Sequence, residues 1–344
     1  MTEISAETAR RSPTAAGERS EKPALLDNPV PGQFAAVGGP ILPHDDRDPN
    51  SDLNPQIATR LSYVHVNLFA RRPFTGISLP IFVGAKHLRH DQMLAITRRF
   101  RHVEPAFLAP GMAYGSHRLR TFDPAAHHAF AAHAVLSAAA ALHHCSDGPS
   151  SARWRFEVAG EPIVAGTRTL PGRCFAWLDR DVVRLRAPSL RTEEIAAAFA
   201  LGPRLLDPSL PVGVVEAGRA HLVVPVIQQA LATARPTPGF GAMMRSLGAR
   251  YAILFDEPAL KMRCWDEDGV LHHMPIGAVL AVGAFRLSHG RSRPGIPFEL
   301  GEAGSLEKSK ALLVEAHETG DAVSRVRVGA NVRIIACGLR ETLV

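Results

Sequence analysis

Two segments of this chain consist almost wholly of small apolar residues, and they constrain its fold more than any other feature. Residues 122–142 are dominated by alanine, and residues 275–287 are rich in alanine, valine and glycine. A helix that is apolar on every face must be enclosed by protein. The sequence therefore predicts two buried helices, one in each half of the chain.

Strand-like segments surround both predicted helices. They are short runs of apolar and alternating residues of the kind that β-strands favour. The predicted fold class is accordingly α+β, with two similar lobes that each wrap several strands around one apolar helix. The predicted strands are residues 61–69, 79–83, 104–108, 154–164, 174–185, 212–216, 221–226, 250–255 and 260–265, and surface helices are predicted at 90–100 and at 191–201, the latter with Thr192 as its N-cap.

The domain organisation follows from composition and length. Residues 1–58 are rich in Pro, Ser, Glu, Arg and Asp without any periodicity, which is typical of a flexible, disordered extension. The remaining chain suffices for an N-terminal lobe at 59–185, completed by strands at 324–344, and a C-terminal lobe at 186–323. A cleft between the lobes is the expected site.

Composition narrows the range of partners. Hydrophobic residues make up 46% of the chain and charged residues 21%, as in a soluble globular protein. The net charge of +6 comes from Arg and Lys interspersed with acidic residues, and with only 6% aromatic residues we expect no nucleic-acid partner. No apolar run reaches the roughly 20 residues of a membrane helix, and the four cysteines form no CxxC pair, so a cytoplasmic location is expected.

Short motifs follow one another in both halves of the chain. They are RPFTG at 72–76, VEPAFL at 103–108, FDP at 122–124, FAAHA at 130–134, GRAHLVVP at 218–225 and HHMPIGA at 272–278. In this order they resemble the PhzF family of phenazine-biosynthesis isomerases, which has the diaminopimelate epimerase fold. The resemblance covers residues 61–344. It implies two pseudo-symmetric lobes, each a barrel-like sheet around a central helix, with the active site between them. It also implies a homodimer, and catalysis without a cofactor on a small-molecule substrate with a carboxylate.

Glu104 matches the acid/base glutamate of the family. Its neighbours Val103, Pro105, Ala106 and Phe107 are apolar, and a carboxyl group in such surroundings has a raised pKa and can both give and take a proton at neutral pH. It could then remove a proton from carbon and return it elsewhere. The alternative reading is a carboxylate at a strand edge that faces water.

The residues at the starts of the two buried helices are the other predicted site residues. His133 matches the histidine of the GH-x-T motif of the family and could hydrogen-bond a substrate carboxylate or relay a proton, or be a core histidine; Ala132 replaces the glycine before it. At the second helix the family motif EDP-x-TGS is altered, because His273 replaces its aspartate and Ala278 its serine. Gly277 is kept, so backbone amides there could still hold an anion. The resemblance thus implies Glu104, His133 and His273 as catalytic residues and Ala132, Gly277 and Ala278 as substrate-binding residues.

No metal site is predicted. Pairs of adjacent histidines occur at His127-His128 and His272-His273, but adjacent side chains point apart and no nearby carboxylate is evident. No cysteine occupies a position of the thiol pair used by the epimerising relatives, so stereoinversion by two thiols is not expected.

Three functional hypotheses result. The first is a cofactor-independent isomerase that shifts a proton on a carboxylate-bearing metabolite of secondary metabolism, such as an antibiotic pathway. The second, motivated by Ala132, His273 and Ala278, is a catalytically degenerate binding or scaffold protein. The third is a cyclase or hydratase that uses the same cleft.

Overall fold

The structure is a computed structural model. It describes residues 59–69, 76–100, 105–122, 132–146, 150–158, 160–181, 184–217, 219–272, 274–304, 311–320 and 322–342. The extension expected at residues 1–58 lies outside this part of the chain. Within these ranges, no helix is both long and apolar enough to span a membrane.

The strands of the first half close into a barrel. In sheet order they run β1-β2-β3-β4-β5-β6-β7-β16, and β16 pairs with β1 to complete the ring. Because the ring is closed, none of these eight described strands lies at a free sheet edge. The strands are β1 (Thr59–Leu68), β2 (Ile77–Val83), β3 (Ala106–Pro110), β4 (Ser116–Thr121), β5 (Ser151–Val158), β6 (Glu161–Leu170), β7 (Arg173–Asp181) and the last strand of the chain, β16 (Ala322–Thr342).

The strands of the second half continue the same sheet from the other side of β16. Their order is β15-β14-β12-β11-β10-β9-β8, and β13 pairs with β12. The strand β16 therefore belongs to both lobes: its first part pairs with β15 and its last part with β1. These strands are β8 (Arg184–Arg186), β9 (Gly213–Ala217), β10 (Arg219–Pro225), β11 (Ala249–Asp256), β12 (Lys261–Asp266), β13 (Leu271–His272), β14 (Phe298–Glu302) and β15 (Ala311–Thr319).

One continuous core contains two apolar helices. The helix of the first half contacts β1, β6, β7 and β16, and that of the second half contacts β9, β10, β15 and β16. The remaining helices pack outside these sheets, where their apolar residues form two separate clusters with the outer faces of the strands. The helices are α1 (His90–Arg99), α2 (Ala132–Cys145), α3 (Thr192–Ala198), α4 (Gln228–Thr233), α5 (Phe240–Leu247) and α6 (Ile276–Ser288), of which α2 and α6 are the two in the core.

The predicted buried helices are both found, with one correction to their bounds. The second agrees within one residue at each end. The first does not begin at Phe122, as predicted. Phe122 follows β4 and packs its ring against Phe107 at 5.7 Å between centroids, and residues 123–131 lie outside the described part of the chain. This aromatic packing holds Phe122 outside the helix. The helix also continues to Cys145, because the buried His143 binds Thr167 and Thr169 by both ring nitrogens and so ties its last turn to β6.

Other expectations are corrected locally. The segment 154–164 is not one strand: it is the end of β5 and the start of β6, joined at Gly160, whose φ of 85° suits a tight turn. Thr192 is not the N-cap of α3. It is the first helical residue, and Arg191 is the N-cap, with its backbone N–H bonded to Glu194 Oε2 at 3.0 Å.

A buried cluster of charges links β15, β16 and β7. Arg327 lies between Glu315 and Asp179 in the sheet register, and it binds Asp179 through Nε at 2.5 Å. Glu315 is only 2% exposed and its Oε1 lies 2.7 Å from His317 Nε2, while no described residue bonds to Oε2. Burial raises the pKa of Glu315 to about 7, against the opposing effect of Arg327.

Replacing Glu315 by glutamine is expected to stabilise the protein in alkaline conditions relative to acidic ones. A carboxyl group whose pKa is raised by folding stabilises the fold below its ordinary pKa and loses that contribution as pH rises through about 7. The quantity to compare is the melting temperature of Glu315→Gln minus that of the wild type. This difference should be higher at pH 8 than at pH 5 by about 2 °C or more. The exposed Glu318 provides the control Glu318→Gln, for which the difference should not vary with pH. A pH-independent difference for Glu315→Gln would show that its carboxyl group is not titrating in the fold.

Candidate functional site

The strand β10 brings one histidine into the interior of the second lobe. Alternation along the strand puts His221 on the same face as Val223, which belongs to the core around α6. The side chain of His221 is almost fully buried, with 3% of its surface exposed. A polar ring thus lies at the end of this otherwise apolar core.

The ring of His221 packs on the first turn of α6. A Cβ atom on Gly277 would lie 3.1 Å from His221 Nε2, a tight contact that would require the ring to shift by a few tenths of an ångström. The helical hydrogen bonds begin with the Val279 N–H, which donates to the Pro275 carbonyl at 3.1 Å. Proline has no side-chain acceptor, so Pro275 as N-cap leaves the earlier N–H groups of the turn without a cap from its side chain.

A row of rings continues from His221 away from the helix. His221 stacks on Tyr251 with centroids 5.6 Å apart and planes at 14°, and Tyr251 meets the edge of His272 at 5.5 Å and 70°. The row ends at Asp266, whose Oδ2 lies 2.8 Å from His272 Nε2. These residues come from β10, β11, β12 and β13, so the sheet register alone brings them together.

Asp266 is a buried carboxylate that remains ionised at neutral pH. Burial raises its pKa, but the hydrogen bonds from His272 and from the backbone N–H of Val270 and Asp268 outweigh burial, so that the pKa lies below its usual value. The carboxylate therefore fixes both the turn after β12 and the orientation of the His272 ring.

The surroundings of His221 are electropositive. Burial, followed by the nearby charges of Arg219 and Arg250, lowers the pKa of His221 to about 4. Arg250 binds Glu267 at 2.5 Å, whereas Arg219 is exposed. The Nδ1 atom of His221 is buried and has no hydrogen-bond partner in the described part of the chain. The imidazole of His221 thus has one unused nitrogen, in a ring that lies beside the first turn of α6.

The site residues predicted from the sequence fall into two groups. Gly277 and Ala278 lie in the first turn of α6, Ala132 is the first residue of α2, and His133 follows it with a half-buried side chain. Glu104 and His273 lie outside the described residues, as do His127 and His128. The roles predicted for Glu104, His133, His273, Ala132, Gly277 and Ala278 stay predictions.

His221, Tyr251 and Asp266 were not among the predicted site residues. One signal for His221 was present in the sequence, because period-two alternation in HLVVP places it on the face of Val223. For Tyr251 and Asp266 the sequence offers no comparable signal, since their proximity depends on strand register. Across the residues that the structure describes, no group of three or more His, Cys, Asp or Glu side chains could hold a metal ion.

This arrangement of two β-lobes, each enclosing one apolar helix, defines a fold class shared with isomerases and epimerases. The α+β, diaminopimelate epimerase-like fold predicted from the sequence is confirmed by similarity to solved structures of that class. The family model described as phenazine biosynthesis-like protein (PhzC-PhzF) matches residues 66–254. The chain belongs to this family, as the motif resemblance predicted.

The relatives are similar over most of their length. A trans-2,3-dihydro-3-hydroxyanthranilate isomerase of Pseudomonas chlororaphis is 24% identical over 287 residues, which cover 78% of this chain and 95% of the relative. The structure of a protein described as a predicted epimerase from Pseudomonas aeruginosa is 30% identical, with a TM-score of 0.70 over 83% of this chain and 99% of that one. A PhzF-family protein of Bacillus anthracis is 16% identical, with a TM-score of 0.65 over 83% and 100% of the two chains.

Proposed function

We propose that the protein is a cofactor-independent isomerase that moves a proton on a small, carboxylate-bearing metabolite of a secondary pathway. The observation that carries this proposal is the first turn of α6, where Pro275 provides no side-chain cap and the buried ring of His221 lies close to Gly277. Helix N-termini favour anions through free N–H groups and the helix dipole. The isomerase relative, whose named substrate is an anthranilate derivative, supports a carboxylate as that anion.

In the proposed mechanism the two helix starts hold the substrate and Glu104 transfers the proton. The amides of Gly277 and Ala278 bind the carboxylate, and His133 at the start of α2 binds another polar group of the substrate. Glu104 removes a proton from carbon and returns it at a different carbon, which moves a double bond without a change in mass. His273 is proposed to take part in proton transfer in place of the family aspartate.

A solvent-isotope experiment tests the reaction class. The protein is incubated with trans-2,3-dihydro-3-hydroxyanthranilate and related small carboxylates, in ordinary water and in D₂O. An isomerase should give a product of unchanged mass in water and one with a carbon-bound deuterium in D₂O. A product that gains the mass of water, or a bound carboxylate with neither conversion nor exchange, would contradict the proposal.

The family resemblance further supports a homodimer acting in the cytoplasm. Both remain proposals, and the dimer is testable by sedimentation of the purified full-length chain.

A further inference from the structure

A second pocket lies in the second lobe, at the end of β10 that is remote from the first turn of α6. Its volume is 520 Å³, within the usual range for small-molecule sites. Its walls include Asp207, Val226, Ile227, Asp256, Pro258 and Ala259. Val226 follows His221 by five residues of extended chain, a distance of about 16 Å. The pocket is therefore separate from the proposed substrate site.

The parallel pairing of β10 with β11 brings two aspartates to this pocket. The Val226 N–H donates to the Phe255 carbonyl at 2.9 Å, and Asp256 is the next residue of β11. The Asp207 N–H donates to the Pro225 carbonyl at 3.1 Å. Asp207 and Asp256 thus flank the same segment of chain at the end of β10, although 49 positions separate them in the sequence.

Asp256 is a buried carboxyl group with an unused oxygen. The residue is only 3% exposed, and its Oδ1 accepts one long hydrogen bond, from the Ala259 N–H at 3.5 Å. No described residue donates a hydrogen bond to its Oδ2. Burial, to which the negative charge of Asp207 adds, raises the pKa of Asp256 despite the bond from Ala259. A buried acceptor that lines a cavity without a full set of donors indicates a place for a ligand atom.

The two carboxyl groups have no counter-ion among the described residues, since neither Asp207 nor Asp256 forms an ion pair there. Lys261 pairs with Asp256 in the register of β11 and β12, but its ammonium group lies over β14 instead. Arg291 reaches the rim of the pocket, where its Nη2 donates to the carbonyl and to Oγ of Ser209. The pocket therefore favours a positively charged ligand.

The remaining walls decide which kind of cation fits. Val226, Ile227, Pro258 and Ala259 present apolar surface, and Ile227 is 40% exposed in spite of its size. Among the residues that the structure describes, no group of three or more His, Cys, Asp or Glu side chains could hold a metal ion. Two carboxyl groups beside an apolar wall suit an organic cation that has a hydrocarbon part.

We propose that this pocket binds a small aliphatic amine, whose ammonium group donates hydrogen bonds to the carboxylates of Asp207 and Asp256. An ammonium group has three N–H donors, so it can serve both carboxylates at once. Its hydrocarbon part packs on Ile227 and Pro258. The site is independent of the proposed isomerase reaction, because none of its residues belongs to the predicted active site.

A titration with n-butylammonium tests the proposal without any turnover. The amine is added to the full-length protein at pH 7 and constant ionic strength, and binding is followed by saturation-transfer NMR of its methyl and methylene protons. We expect saturable binding by the wild type and affinity at least about tenfold weaker in Asp256→Asn, the worth of a hydrogen bond between charged groups. The neutral analogue 1-butanol should show no saturable binding.

A second variant and a matched control guard against a folding defect. Asparagine at position 256 keeps an oxygen that can accept from the Ala259 N–H, so the turn after β11 should persist. Asp207→Asn should also weaken binding, by a smaller factor, because Asp207 is only half-buried. Asp268→Asn is the control, at an exposed aspartate beyond the other end of the β11–β12 pair. It should retain full affinity, and melting curves should show all variants folded.

The pH dependence of binding provides a readout that a purely structural role of Asp256 would not change. A cation favours the ionised form of a carboxyl group, so binding releases a proton wherever that group is protonated in the free protein. Because burial raises the pKa of Asp256, the affinity for n-butylammonium should increase from pH 4 to pH 7. The increase should be much smaller in Asp256→Asn.

Three results would overturn the amine site. They are equal affinity of the wild type and a folded Asp256→Asn, saturable binding of 1-butanol as tight as that of the amine, and no saturable binding of n-butylammonium by the wild type at millimolar concentration. A parallel titration with calcium chloride tests the choice of cation. Calcium binding in a protein that does not bind n-butylammonium would show a metal site in its place.

Discussion

Turnover is expected to fall by about 10²-fold to 10⁴-fold when Glu104 is replaced by glutamine, the usual contribution of a positioned acid/base group. Glutamine keeps the size and the hydrogen-bonding capacity of the side chain, but its amide group acts as neither an acid nor a base at neutral pH. The residues that follow Glu104 support a site in apolar surroundings, since Ala106, Phe107 and Leu108 of β3 are at most 1% exposed. The measurement is the initial rate of substrate conversion, with deuterium incorporation into carbon as a second readout.

The matched control for this variant is Glu193→Gln, a change at an exposed glutamate in the first turn of α3. It should leave the rate unchanged. Full activity in a folded Glu104→Gln protein would exclude Glu104 as the proton carrier.

The scaffold was more predictable from the sequence than the site. The helix α6 has apolar residues on all faces, and such a pattern has one physical solution in water, which is enclosure by other chain segments. The strand β10 was predicted because most of its residues are apolar, which also favours enclosure. The short helices α4 and α5 were missed, because α4 spans only Gln228–Thr233 and its stability comes from packing on β11 rather than from a sustained period.

The site required information that a linear pattern does not contain. The motif resemblance identified Gly277 and Ala278 through their neighbours in sequence, and the structure places both in the first turn of α6. The row from His221 to Asp266 depends instead on pairing between strands that are distant in sequence: β10 with β11, and β11 with β12. Because a one-residue slip in register would turn each ring to the opposite face, only the folded sheet defines this row.

Close packing against two strands explains the position of α6. Gly283 is near the middle of the helix, and a Cβ atom there would lie 2.6 Å from Val314 Cγ1 and 2.9 Å from Val326 Cγ1. These valines belong to β15 and β16, so the absent side chain lets the helix axis approach both strands. Because Gly277 lies in the same helix, the contact of Gly283 with the two strands also sets the position of the start of α6.

Replacing Gly283 by valine is therefore expected to destabilise the protein by about 3 kcal/mol, the upper part of the usual range for overpacking a core. The backbones of β15 and β16 cannot move away to make room for the added side chain, since β16 also forms part of the first barrel. The measurement is the free energy of unfolding from urea denaturation. Gly202→Ala is the control, because nothing lies within 4 Å of a Cβ at Gly202, and it should change stability little.

A double-mutant cycle distinguishes overpacking from a general intolerance of substitution in α6. Gly283→Ala should destabilise the protein by about 1–3 kcal/mol, and Val314→Ala should do so by leaving a cavity. In the double variant the new methyl group enters the space that Val314 vacates, so the combined loss should be smaller than the sum of the single losses. Additive losses of stability would mean that the helix does not press on β15 at this point.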